Sequence, residues 1–537
     1  MRIKAKVFGD FYNRITNTDV PWRREMFLAR IGKAPAFIFF LSGALAFFSR
    51  RSDFVDETLG KMPVIKSFIR FLSGNAELIR LSPQFDSKHV EPHSSLLENL
   101  ELVYDLVVVG SGPGGSIAAL RAAESGKSVL VLEAGSERKP GTVEHHSLHQ
   151  TAHQFKNGGL NFIWGTRPVL FAEGETVGGG SEVNSGLYHR LEGIHRHRIL
   201  GHLEFSESEW EEAELLVERE ISVQYSKKKG GGEPQLGLIE GARKSGLIFK
   251  EIPRWRKYRP IEEHQSMQVT YLANAQNLGA KILGSAKVER IVPKEQHIEV
   301  IVNAGKNKNS VNGREVVLAA GTIDTPKILN RSRLTAVDFE LNFHPMIRSV
   351  SLQASSINSG DLFPSWQAWT PDLKFKYGYS VSTYPYLAAT LRSLGESKLF
   401  SVSDFEKMAA YFASFSLQDS KVSLKRFKHK LVPFMTWGKI DKKNLQLAAK
   451  QLKDLLESGS GIEVWPKKDV SPVTTVHLFG SIPLGRSNLI DDSGRLLRDR
   501  RIRISDGSLM PFAPWGNPQG PIMVLCELLA KRCNTDG

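Results

Sequence analysis

The chain has 537 residues, 41% of them apolar and 24% charged, with a net charge of +14 at neutral pH. That length excludes one simple core and points to two to four domains, and the composition excludes both a disordered chain and a multi-spanning membrane protein. The lysines and arginines are scattered and form no stripe interleaved with aromatics, so nucleic acid is not an expected partner.

The first elements fall in an N-terminal extension, residues 1–98, expected to be helical. "APAFIFFLSGALAFF", Ala34 to Phe48, is apolar throughout and flanked by Arg23, Arg24, Arg30, Lys33, Arg50 and Arg51. It is shorter than the roughly 20 residues that span a bilayer. A helix resting on the protein body or a membrane surface is the expected reading; a short anchor and a twin-arginine export signal are the alternatives. Next, "MPVIKSFIRFLSG" spaces Val64, Ile65, Phe68, Phe71 and Leu72 three and four apart, the pattern of an amphipathic helix.

The main body opens with "YDLVVVGSGPGGSIAALRAAESGKSVLVLEAG", Tyr104 to Gly135: strand, glycine turn, helix and a second strand ending in an acid. Gly110 permits the tight turn, Gly112 lets backbone approach a pyrophosphate, and Gly115 lets the helix pack on the strand. The helix N-terminus then faces the phosphates with free N–H groups. Glu133 stands where a carboxylate accepts the hydroxyls of an adenosine ribose. A dinucleotide site follows; whether it holds NAD or FAD does not.

Further along, "VGGGSEVNSGLYHR" brings three glycines, a serine and an asparagine together, and "AKILGSAKVERIV" and "REVVLAAGTIDTPKIL" read as strands, the latter turning into a helix at Pro326. Residues 336–468 mix aromatic strands such as "KFKYGYSVSTYPYLAAT" with the amphipathic helix "KKNLQLAAKQLKDLLESG". The C-terminal part holds "VTTVHLFGSIPLGRS" and then "DGSLMPFAPWGNPQG" before a last helix. That helix carries the only cysteines, Cys526 and Cys533, two turns and about 10 Å apart, beyond disulfide reach. A chain without bridges fits a reducing compartment, so a cytoplasmic protein is expected, with peripheral membrane contact through the extension and export left open.

In this order, the dinucleotide motif, the GG-x-S-x-x-N segment, the His before a G-S-x-x-x-G turn, the D-G-S strand end and the N-P pair resemble the glucose-methanol-choline (GMC) oxidoreductase family, and within it the bacterial and long-chain alcohol oxidase branch. The resemblance implies FAD. It further implies an α/β fold (α+β overall): a Rossmann-like FAD-binding domain, discontinuous over 99–186, 279–333 and 471–537, and a substrate domain of antiparallel sheet plus helices over 187–278 and 334–470. Carried over residue by residue, Gly178, Gly179, Ser181 and Asn184 are expected along the FAD, and Val288 at the adenine. Ala320 and Gly321 are expected close to the dinucleotide, Asp506 and Gly507 at the ribityl and pyrophosphate, and Pro518 and Gln519 beside the isoalloxazine. Pro113 and Ala134 complete the expected cofactor contacts. His477 is the expected base for a substrate hydroxyl, with Asn517 holding the substrate oxygen.

These residues imply oxidation of a CH–OH group by hydride transfer to flavin N5, on a small-molecule alcohol, with O2, a quinone or a redox protein as electron acceptor. A flavin monooxygenase, which would leave the His477–Asn517 pairing without a role, and a flavoprotein subunit without turnover, against which the intact His477 argues, are the other readings. His149 and His153 sit at a metal-ligand spacing, but no carboxylate or cysteine completes a set, so no metal is expected.

Overall fold

A computed structural model of the chain describes residues 23, 25–28, 63–82, 103–225, 233–258, 263–304, 307–335, 337–353, 365–380, 382–396, 400–427, 430–459, 461–467 and 470–535. The apolar run 34–48 lies outside the described residues. Among the described residues no helix is long and apolar enough to cross a membrane.

Two sheets organise the molecule. In the first, Val103–Val109 runs parallel to Val129–Leu132 on one side and to the end of Asn307–Leu318 on the other; Lys281–Leu283 and Asp499–Ile504 extend this parallel core. Val107, Val108, Leu130 and Val131 are fully buried, as continuous apolar strands covered on both faces require. The first half of Asn307–Leu318 leaves the core and pairs antiparallel with Ile298–Ala304, which pairs in turn with Ala286–Pro293. The helix Pro113–Glu124 packs against Tyr271–Asn277 and the last helix, Gln519–Thr535. This mixed α/β domain draws its strands from three separate stretches of chain, as its sequence implied.

The helix after Asn307–Leu318 starts at Gly321, five residues before the expected Pro326, and runs to Arg331. Proline inside a helix leaves the carbonyl four residues back without a donor. Here that carbonyl, of Thr322, accepts a hydrogen bond from Ser481 Oγ at 2.7 Å, so the helix tolerates Pro326.

The second sheet has nine strands, mostly antiparallel. Its order runs Asn161–Ile163, Val169–Phe171, Thr474–Thr475, Met346–Gln353, Met408–Phe415, Phe375–Tyr379, Trp366–Trp369, Ile248–Glu251, with Gly461–Trp465 also on Met346–Gln353. The long helix Lys439–Gly459 covers its back together with Glu233–Lys244. The amphipathic stretch of the extension forms the helix Pro63–Leu81, packed on Tyr384–Leu394. Its Leu72, Ala76, Leu78 and Ile79 share a small core with Leu148, Leu160 and Phe162. The two helices touch at Gly74, where an added Cβ would stand 2.7 Å from the Ala389 carbonyl oxygen and 3.3 Å from Ser393 Cβ. Gly74→Val is therefore expected to lower stability by about 1–3 kcal/mol, the usual cost of forced overpacking, read as a fall in denaturation midpoint at constant slope.

Candidate active site

A cavity of about 680 Å³ separates the two sheets. Its first wall is the glycine turn. Gly110 has φ +101, and the Ala319 carbonyl occupies the space where a side chain would project. Gly114 and Gly115 face inward, against the carbonyls of Ser505 and Gly110, so both serve packing. Gly112 is different: nothing lies within 4 Å of the place a Cβ would take, and the same holds for Gly180. Both border the cavity, and the helix that Pro113 begins points its unpaired N–H groups there. A cradle left empty at two glycines beside a helix N-terminus fits a pyrophosphate.

Glu133 lies beside it, 6% exposed. One carboxylate oxygen accepts from Ser111 N–H (2.9 Å) and Ser111 Oγ (2.7 Å), the other from Gly135 N–H (2.9 Å). Burial pushes its pKa up and these donors oppose the rise. Ser111 Oγ also accepts from Gly178 N–H at 3.0 Å, which ties the glycine turn to the "VGGGSEVN" loop.

Of the residues expected from sequence, Gly110, Gly112, Pro113, Glu133 and Ala134 border this one cavity, as do Gly179, Asn184, Val288, Ala320 and Gly321. Asp506, Gly507, His477, Asn517, Pro518 and Gln519 border it too. Gly178 and Ser181 stand just behind this lining, in the same loop. Gly178 takes φ +92, and Ser181 is fully buried, its Oγ donating to the Gly178 carbonyl and accepting from Met267 N–H. Both shape the loop from behind. Asp506 accepts from Gly321 N–H, Thr325 Oγ1 and Ser508 N–H, so its carboxylate joins two helix starts. Asn184 Nδ2 donates to Gln519 Oε1 at 2.7 Å across the cavity's other side.

The corner around His477 contains two groups that sequence reasoning did not name. His344 Nδ1 lies 3.2 Å from His477 Nδ1, and its Nε2 lies 2.9 Å from the Pro514 carbonyl oxygen. A carbonyl only accepts, so His344 carries its proton on Nε2. Burial and the neighbouring Lys376 hold the His344 pKa down to about 3, so the ring is neutral and its Nδ1 is an acceptor. His477 must then donate from Nδ1, which leaves its Nε2 deprotonated. Among the described residues that Nε2 has no hydrogen-bond partner. Burial first, then the charges of Lys376, His344 and His189, hold the His477 pKa well below that of a free imidazole.

Lys376 is the second group. It is 4% exposed in the strand Phe375–Tyr379, all of whose residues are buried, and its Nζ donates to Asn517 Oδ1 at 2.9 Å. Burial pushes its pKa down to about 7. A lysine in the middle of an aromatic strand was the available signal for it; His344 had only its place before Pro345. Among the described residues no group of three or more His, Cys, Asp or Glu could hold a metal.

A sequence model described as GMC oxidoreductase matches residues 151–346, its C-terminal counterpart matches 418–526, and an FAD binding domain matches 105–143. An uncharacterised GMC-type oxidoreductase of Sinorhizobium fredii is 26% identical over 485 residues, 81% of this chain and 96% of that protein. A long-chain-alcohol oxidase of Arabidopsis thaliana is 27% identical over 279 residues, which cover 45% of this chain and 36% of that enzyme. The crystal structure of pyridoxine 4-oxidase from Mesorbium loti superimposes with a TM-score of 0.64 at 16% identity, over 80% of this chain and 99% of that one, a likeness of fold.

Proposed function

The chain belongs to the GMC oxidoreductase family and binds FAD, and from that premise we propose that it oxidises the CH–OH group of a small-molecule alcohol with His477 as base. The observation that carries this reading is the hydrogen-bond chain Pro514–His344–His477, which directs the free lone pair to His477 Nε2. Bound FAD supplies the two-electron acceptor for the hydride that leaves the carbinol carbon. His477 Nε2 takes the hydroxyl proton, and the low basicity imposed by burial keeps the ring unprotonated and ready at neutral pH. Asn517 turns its Oδ1 to Lys376, so its amide N–H groups are free to hold the substrate oxygen as negative charge develops. Gly112, Gly180 and the N-terminus of Pro113–Glu124 would hold the pyrophosphate, and Glu133 the adenosine ribose. The division into FAD-binding segments 99–186, 279–333 and 471–537 and a substrate domain between them is part of the proposal.

The test is anaerobic. Purified protein with its flavin is mixed with primary alcohols, sterols and sugars, and loss of the flavin's visible absorbance is followed. Bleaching by an alcohol supports the reading, whereas bleaching by NAD(P)H alone would replace it with a monooxygenase. Reoxidation by air, by a quinone or by a redox protein then identifies the electron acceptor.

Lys376 yields a separate expectation. Because its folded pKa lies near 7 and an unfolded lysine titrates near 10.4, the unfolded chain holds the extra proton between those values. Its contribution to stability therefore rises with pH across that window, and the burial penalty is complete below about pH 7. Lys376→Met removes the penalty and is expected to raise Tm at pH 6 more than at pH 9. It also frees the Asn517 amide to rotate, so kcat falls by about 10-fold, in line with one lost hydrogen bond to a charged group. A variant with unchanged kcat would separate Lys376 from the site.

A further inference from the structure

The cavity face of the second sheet holds a cation that has no counter-ion among the described residues. His344, Met346 and Arg348 all border the cavity, alternate residues of one extended run and so on one face. The register across the neighbouring strands sets two rows on that face. Met346 lies opposite Ser414, which lies opposite Lys376; Arg348 lies opposite Phe412, which lies opposite Gly378. The first row holds Asn517 through Lys376. The second lies two residues further along, about 7 Å, and Arg348 is four residues, about 13 Å, beyond His344.

Arg348 Nε is closed off from solvent with no hydrogen-bond partner, and among the described residues its guanidinium makes no ion pair. Burial pulls its pKa below the usual value, but a guanidinium keeps its charge at any physiological pH. Every carboxylate on the cavity wall is engaged elsewhere: Glu133 with Ser111, Glu173 and Asp324 with Lys156, Glu175 with Lys287, and Asp506 with Thr325 and Gly321. A buried charge left unpaired is costly, so a ligand that brings the missing anion binds with a large advantage. Its neighbours on that face are Met346 and Phe412, and Tyr386 lies close enough to act on its charge.

We propose that Arg348 is the anion-binding end of the substrate cavity and that the alcohol oxidised carries a carboxylate, separated from its carbinol carbon by an apolar spacer on the order of 10 Å long. The planar fork of the guanidinium matches a carboxylate with two parallel hydrogen bonds. This substrate class rests on the CH–OH reading of the site. Gly378 contributes by having no side chain, since a Cβ there would come within 2.7 Å of the Phe412 ring that packs beside Arg348.

The test compares a length series of ω-hydroxy acids with their methyl esters and with plain primary alkanols, in anaerobic flavin reduction by the wild type, Arg348→Leu and Arg348→Lys. The acid of matching length is expected to be used about 10- to 100-fold better than its ester, the advantage of a hydrogen bond between charged groups. That ratio collapses toward one in Arg348→Leu and is partly kept in Arg348→Lys. As a readout without turnover, an unreactive alkanoate of the same length is expected to raise the Tm of the wild-type holoprotein and not that of Arg348→Leu. Equal use of acid and ester, an equal Tm shift in both proteins, or loss of FAD from Arg348→Leu would overturn the proposal. If alkanols bleach the flavin with no preference for acids, only the role of Arg348 falls; if nothing bleaches it, the CH–OH reading falls and the alkanoate shift still decides on Arg348.

Discussion

His477→Ala is expected to slow reduction of the bound flavin by an alcohol about 10²- to 10⁴-fold, the usual loss when a general base is removed, while the protein keeps its FAD. The loss arises because the two basic groups nearest the Nε2 lone pair among the described residues are engaged. His344 is held by the Pro514 carbonyl on one side and faces His477 on the other, and Lys376 is committed to Asn517. His344→Leu supplies a graded control, since His477 then loses its Nδ1 partner and both tautomers become populated. Its rate should fall less than that of His477→Ala, with FAD binding unchanged. Stopped-flow absorbance under anaerobic conditions gives the reduction rate directly, and a wild-type rate in His477→Ala would remove this histidine from the mechanism.

Gly112→Val is expected to weaken FAD retention without unfolding the protein. The backbone at Gly112 is extended, with φ −65 and ψ −179, a conformation valine adopts readily, and nothing in the protein lies within 4 Å of its Cβ position. The fold therefore tolerates the new side chain, which fills the cradle in front of the Pro113–Glu124 helix. Forcing a ligand past it costs about 1–3 kcal/mol or more, so FAD affinity should drop at least about 10- to 100-fold. Gly115→Val is the contrasting case, because its side chain would overlap the Gly110 carbonyl and destabilise the strand–helix junction itself. Flavin content after gel filtration, set beside the circular dichroism melt of each apoprotein, separates the two outcomes. Full flavin content in Gly112→Val would show that the cavity beside it is not the pyrophosphate site.

The dinucleotide half of the site was legible from the chain because its demands are local. A turn at φ +101, an uncrowded backbone at Gly112 and an acid at the end of the next strand are imposed on neighbouring residues, so they leave a mark at fixed spacing. His477 and Asn517, proposed for the chemistry, were named from the order of motifs around them. The same reasoning misplaced the start of the Gly321–Arg331 helix, because the donor that replaces the amide missing at Pro326 is Ser481, far along the chain.

What the sequence determined by itself was the family, the cofactor and the discontinuous α/β plan, all of which depend on backbone permissiveness and apolar patterning within short segments. The tertiary structure decided the contacts of the corner: that His344 meets His477, that Lys376 holds Asn517, and that Arg348 has no counter-ion among the described residues. The places of Lys376 and Arg348 follow from antiparallel register, in which Met346 meets Ser414 and Ser414 meets Lys376, and His344 comes to His477 beside the pairing of Phe343 with Leu478. A one-residue slip would turn those side chains to the opposite face, and register is settled by packing of the whole sheet rather than by any one strand.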